Sequence, residues 1–196
     1  MTTTSPRNEW RVVDIVVAAV IAVAFGVVFL AWNAIYAAAD PIFVAARPLQ
    51  AILYGVWLLP GVLVGLIVRR PGAALFGGFV SAAVSVLLGS PYGVDALISG
   101  AIQGAGAEVA FAIGLYRSWG LVVAIIAGVL SGLAAAIHDI VVYYPDFGLD
   151  AQLVYAGATA VSGALIAGIG GWYLLRALVA TGVLHEFAAG RDQAEV

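Results

Sequence analysis

The sequence predicts an all-α integral membrane protein with six transmembrane helices and both termini in the cytoplasm. Three observations carry that prediction. The 196 residues are 64% hydrophobic and 10% charged, whereas soluble domains run near 25% charged. The apolar residues gather into runs of about 20, the length that crosses a bilayer as a helix. The arginines also sort by side: in a six-span chain Arg7, Arg11, Arg69, Arg70, Arg117, Arg176 and Arg191 fall together, and only Arg47 lies opposite. The positive-inside rule makes the arginine-rich side cytoplasmic.

The elements follow in order. Residues 1–10 form a short polar tail. The first helix covers residues 11–38. Its apolar run is too long for a signal-peptide core and lacks a small-residue cleavage site followed by a polar mature region. Asp40-Pro41 opens a loop that carries Arg47-Pro48. The second helix, 49–68, ends at Arg69-Arg70-Pro71, and the third occupies 72–88. Gly89-Ser90-Pro91-Tyr92-Gly93 reads as a tight turn. The fourth helix spans 93–116 and closes at Arg117-Ser118, and the fifth spans 119–143. Pro145-Asp146-Phe147-Gly148 makes the next turn, and Asp150 or a neighbour caps the sixth helix, 151–181. Residues 11–182 thus form one membrane domain. Residues 183–196 form a cytoplasmic tail that is surface-bound or disordered.

Several function classes fall away. There is no cysteine, hence no disulfide or thiolate metal site. The two histidines, His138 and His185, lie on opposite sides, so neither a metal site nor a cofactor is expected. The arginines are too scattered for a nucleic-acid patch. No Walker A loop, Gly-x-Ser-x-Gly elbow or His-Glu-x-x-His pair occurs, so the chain reads as a non-enzyme. Active transport would draw its energy from a partner or an ion gradient.

Small residues repeat every four positions: Ala18, Ala22 and Gly26 in the first helix, Ala124, Gly128 and Gly132 in the fifth, and Ala156, Ala160, Ala164 and Gly168 in the sixth. Such stripes let helix backbones approach closely. They serve packing within one bundle or, for the first helix, contact with a partner protein.

The polar residues inside the apolar runs mark the candidate site, because ionisable groups in hydrocarbon are costly and rarely lack a purpose. The stretch from Asp95 to Glu108 carries two carboxylates, Ser99, Gln103 and three glycines. Asp95, Ser99 and Gln103 share a face at i+4 spacing. Glu108 lies about 140° round from Gln103 at 100° per residue, so a regular helix does not aim both at one point. In the second helix Gln50, Tyr54 and Trp57 share a face, and Pro60 removes a backbone hydrogen bond there. Trp32, Asn33 and Tyr36 end the first helix. His138, Asp139 and Tyr143, followed by Tyr144, end the fifth. Gln152 and Tyr155 of the sixth complete an outer ring. The outer side holds Asp40, Asp95, Asp139, Asp146 and Asp150 against Arg47 alone. That suits a cationic solute, although insertion rules alone also deplete outer loops of arginine. Aromatic faces with carboxylates suit a flat, nitrogen-rich or cationic ligand.

Trp10-Arg11-Val-Val-Asp14, the Ala18/Ala22/Gly26 stripe, Trp32-Asn33 and Gln103-Gly104-x-Gly106-x-Glu108, in six spans, resemble the substrate-binding S components of energy-coupling factor (ECF) vitamin transporters. Within these, the chain resembles the YkoE-type group associated with thiamine and its hydroxymethylpyrimidine precursor. The resemblance covers nearly the whole chain. It implies a multi-pass subunit of a bacterial or archaeal cell membrane that captures a vitamin from outside. It also implies association with a transmembrane coupling subunit and two cytoplasmic ATPases. Ala18, Ala22 and Gly26 would contact the coupling subunit, and residues 39–48 would form a lid. Glu108 would read the aminopyrimidine, and Trp57, Tyr54 and Trp32 would sandwich the rings. The expected ligand set is therefore Glu108, Gln103, Trp57, Tyr54, Trp32, Asn33, Asp139, His138, Tyr143 and Tyr155. Other readings stay open: an S component for another small vitamin, a proton-coupled carrier using Glu108 and Asp139, or a membrane scaffold whose polar residues only join helices.

Overall fold

Long apolar runs broken by glycine, proline and arginine dictate helices joined by short turns, and the computed structural model, which describes residues 9–194, is built that way. Helix α1 spans Val12–Phe43. A 3₁₀ segment, Val44–Leu53, follows and bends at Ala46. Then come α2 (Gly55–Val68), α3 (Ala73–Leu87), α4 (Asp95–Ile113) and α5 (Leu121–Val142). Helix α6 runs through Leu149–Ala180, with a π-helical stretch at Gly163–Gly170. A short α7, Ala188–Ala194, closes the described chain. Among the described residues four helical runs are long and apolar enough to cross a membrane. The first of them, Val12–Val68, contains both α1 and α2, and α3 is a shorter apolar helix.

Side-chain ties fix the directions of the helices. Trp10 Nε1 donates to the Pro71 carbonyl at 3.0 Å, and Trp57 Nε1 donates to Asn33 Oδ1 at 3.0 Å, so α1 and α2 are antiparallel. Ser131 Oγ donates to the Gln103 carbonyl at 2.8 Å, and the backbones of Gly78 and Gly104, Gly106 and Leu130, and Gly132 and Thr159 lie against each other. These pairings make α3 to α6 alternate as well. The guanidinium of Arg11 reaches the Glu186 carbonyl at 3.5 Å, which brings both ends of the described chain to one end of the bundle. We call this the arginine end. Arg7, counted with it in the sequence, lies outside the described residues.

The small-residue stripes of α1 and α5 are packing surfaces, whereas on α6 the buried line runs through Ala158, Ser162 and Gly163 and leaves Ala156, Ala160 and Ala164 half-buried. Helix α1 buries Asp14, Ala18, Ala22, Gly26, Phe29 and Asn33 in one line. Ala18 and Ala22 are completely buried, and a Cβ on Gly26 would stand 2.5 Å from Val84 Cβ of α3. The stripe Ala18, Ala22 and Gly26, expected to meet a partner protein, is buried within the described bundle, and α3 fills the space at Gly26. The opposite face of α1, with Val16, Val20, Val23 and Val27, is the exposed one. Between α5 and α6 the approach is closer still, because a Cβ on Gly128 would run into the Gly163 carbonyl.

Several boundaries differ from the sequence reading: α2 starts only at Gly55, behind the 3₁₀ segment, and α4 ends at Ile113. Helix α1 continues through Asp40-Pro41 to Phe43: so near a helix end, proline's missing N–H removes one hydrogen bond without ending the turn. The sixth helix starts behind Gly148, with no side-chain cap, and Asp150 lies in its first turn. The segment after α6 is packed rather than loose. Leu184, Phe187 and Ala189 are buried, and the Arg11 guanidinium sits 5.8 Å over the Phe187 ring.

Candidate ligand-binding cavity

At the end of the bundle opposite the arginine end, the helices part around a cavity of about 290 Å³. Each wall follows from a helical line. On α1 the buried stripe continues from Gly26 through Phe29 and Asn33 to Tyr36. On α4 the i+4 face brings Ser99 and Gln103 inward. On α5 the small stripe from Ala124 ends at Asp139, and on α6 Tyr155 faces it. Tyr54 and Trp57 of the α2 region, Tyr92 from the α3–α4 turn, and Tyr143 and Tyr144 after α5 complete the lining. The rings meet mostly edge to face. Trp57 contacts Tyr36 at 4.8 Å, Tyr54 at 5.1 Å and Tyr92 at 6.1 Å between centroids.

Asp139 is the carboxylate in the wall. It is 4% exposed and is held from two sides: Tyr155 donates to Oδ2 at 2.7 Å, and His138 Nδ1 lies 2.9 Å from Oδ1. A carboxylate has about four acceptor positions, so capacity remains for a ligand donor. Behind it, His138 Nε2 lies 3.3 Å from Asp95 Oδ1, off line for a hydrogen bond, and it has no other partner among the described residues. Asp95 accepts from the Tyr143 hydroxyl. Burial among the rings pushes the Tyr92 hydroxyl up to about 12.

The amides differ in what they leave unused. Gln103 Nε2 donates to Ser99 Oγ at 2.7 Å and to the Tyr54 hydroxyl at 3.2 Å. Asn33 accepts from Trp57 through Oδ1, while its Nδ2 is buried with no partner among the described residues.

Glu108 sits elsewhere, at the arginine end. Helix α3 follows Gly72, whose φ of +85° turns the chain but which brings no side chain to cap it. Glu108 of α4 supplies that cap. Its carboxylate accepts from the N–H groups of Gly72 at 2.7 Å, Ala74 at 2.9 Å and Leu75 at 3.4 Å. Negative charge at a helix N-terminus is favourable. The Tyr116 hydroxyl donates to it at 2.7 Å, and burial, helped by this bond, pushes Tyr116 up to about 12. The expectation that Glu108 reads a ligand is corrected: its oxygens are committed to backbone at the far end.

Of the expected ligand set, the cavity gathers Gln103, Trp57, Tyr54, Asn33, Asp139, Tyr143 and Tyr155. Trp32 turns away and donates to the Leu53 carbonyl at 3.1 Å, tying α1 to the 3₁₀ segment. His138 stands behind Asp139 rather than in the lining. Gln50 binds the Tyr36 carbonyl at 2.9 Å, and Gln152 binds the Phe147 carbonyl at 2.8 Å. None of residues 39–48 lines the cavity, so the wall expected of a lid comes instead from the turns that carry Ser90, Tyr92, Tyr143 and Tyr144. Phe29 was missed, although extending the Ala18–Gly26 stripe by one turn reaches it. Tyr92 comes from a turn, which periodicity does not read.

Comparison with known proteins agrees with this architecture. The family described as ABC-type cobalt transport system, permease component, matches residues 13–134. A Bacillus subtilis (strain 168) protein that carries the name HMP/thiamine permease protein YkoE is 34% identical over 186 residues, 94% of this chain and 92% of its own. A solved structure described as an S-component of an ECF transporter superposes with a TM-score of 0.90 at 32% identity, covering 95% of this chain and 94% of that one.

Proposed function

The chain belongs to the S components of energy-coupling factor transporters, in the YkoE-type group, and on that premise we propose that it captures thiamine or its hydroxymethylpyrimidine precursor from outside the cell. The observation that carries the reading is the Asp139 carboxylate, buried yet facing an aromatic cavity. An exocyclic amino group on a pyrimidine donates to Asp139 while the ring lies among Trp57, Tyr54 and Tyr36. The thiazolium of thiamine gains cation–π attraction from the same faces. Tyr155 and His138 hold the carboxylate in place, so little ordering cost remains at binding.

In this reading the cavity end faces outward and the arginine end faces the cytoplasm of a bacterial or archaeal cell, as the positive-inside rule requires. A transmembrane coupling subunit and two ATPases supply the energy. Ala18, Ala22 and Gly26 are buried within the bundle, so a coupling partner meets another surface.

Binding of thiamine and of hydroxymethylpyrimidine to the purified protein tests the substrate. Trp57 lines the cavity, so its fluorescence reports occupancy. The expected result is saturable quenching below micromolar for at least one of the two, lost in Trp57→Phe. Failure of both ligands to bind in that range ends the substrate reading.

A further inference from the structure

The two amides in the cavity are not equivalent, and the difference assigns a polarity to the ligand. The partners of Gln103 are hydroxyls, Ser99 and Tyr54. Its NH₂ donates to both, and the Tyr54 hydroxyl directs its own proton toward Asp139, so both N–H groups of Gln103 are spent and its oxygen is what it offers a ligand. Asn33 is the reverse case. Its partner is the indole N–H of Trp57, at 3.0 Å, and an indole N–H only donates. The oxygen of Asn33 must therefore face Trp57, which leaves Nδ2 on the other side. That NH₂ is shut off from the empty cavity and has no partner among the described residues, on a residue that is 7% exposed and lines the cavity, so an acceptor reaches it only by displacing a neighbouring side chain. A buried unpaired donor is costly.

We infer that Asn33 is a specificity-determining residue: a donor locked in place by Trp57, which selects ligands carrying a hydrogen-bond acceptor at that wall. The acceptor is a neutral ring nitrogen, a hydroxyl or a carbonyl oxygen. Trp57 acts on selectivity as a positioning residue through its N–H, apart from its stacking. With Asp139 accepting across the cavity, the site demands a planar molecule with a donor on one side and an acceptor on the other. This inference rests on the proposed reading of the cavity as the capture site.

Two measurements on the full chain in detergent test it. The first is calorimetry with three probes: hydroxymethylpyrimidine, its 5-methyl analogue lacking the hydroxyl, and a benzene analogue lacking both ring nitrogens. In the wild type, removing the matching acceptor is expected to weaken binding about tenfold or more. In Asn33→Leu that difference should vanish, since the donor it served is gone. Asn33→Asp, of equal size, keeps the acceptor for Trp57 and guards against a folding failure. It should lose the same discrimination. Unchanged discrimination in both variants overturns the inference even while Asp139→Asn still weakens binding. The second measurement needs no ligand. The ¹⁵N-labelled indole resonance of Trp57 should shift markedly in Asn33→Leu and remain near its place in Asn33→Asp. An unmoved resonance in Asn33→Leu means the lock does not exist, whatever the protein binds.

Discussion

Glu108 shows how one carboxylate in an apolar run can serve the fold alone. Gly72 gives α3 a sharp turn but no capping side chain, and Glu108, from the neighbouring helix, accepts three of the free N–H groups. Loss of a helix cap costs about 1 kcal/mol, within a range of about 0.5–2. Glu108→Ala should therefore destabilise the protein by that amount, seen as a lower midpoint in thermal denaturation, and leave ligand affinity within about twofold by calorimetry. The sequence held half of this answer. The angle of about 140° between Gln103 and Glu108 already sends them to different places. What it did not hold was the destination, because the cap belongs to α3 and is formed across 36 residues.

At the scale of elements, contact between backbones decides the architecture. Helices α5 and α6 cross with Gly128 against Gly163, and the π-helical stretch begins at that crossing. Gly128→Ala should destabilise the protein by roughly 1–3 kcal/mol, the usual range for overpacking. A chemical-unfolding midpoint equal to that of the wild type would mean the helices have slack there. The helices themselves were legible: run length and glycine-proline punctuation located all six. Their ends were less so. Pro41 reads as a helix stop but falls where only one bond is lost, and residues 39–48 form helix and a 3₁₀ turn in place of an open loop. The stripe on α1 was legible as a surface for close approach. Spacing says how near a neighbour comes, and the neighbour proved to be α3.

For the whole molecule, polarity separates the two ends. One end carries Arg11, Arg69, Arg70 and Glu108, with the Arg69 guanidinium 5.6 Å over Trp119. The other carries the aromatic cavity with Asp95 and Asp139. The chain has no cysteine, so single introduced thiols report sidedness cleanly. Asp146→Cys should react with an impermeant maleimide added to intact cells, and Ser118→Cys should react only after lysis. The reverse pattern would invert the assignment. Most of the cavity was legible because its residues continue helical lines: Asp139 ends the α5 stripe, and Gln103 lies one turn below Ser99. Tyr92 and Tyr144 come from turns, where only three-dimensional closure sets direction. Trp32 and Asn33 are adjacent and looked alike in sequence, but 100° of helix rotation sends one to the 3₁₀ segment and the other to the cavity.

The central claim is that ligand is read by Asp139 in the aromatic cavity and not by Glu108 in the fourth helix. Calorimetric titration of wild type, Asp139→Asn and Glu108→Gln with thiamine and with hydroxymethylpyrimidine decides between them. A charge-assisted hydrogen bond contributes about 1.5–3 kcal/mol, so Asp139→Asn should bind at least tenfold more weakly while Glu108→Gln binds as the wild type does. Tenfold loss in Glu108→Gln with Asp139→Asn unaffected would contradict the account.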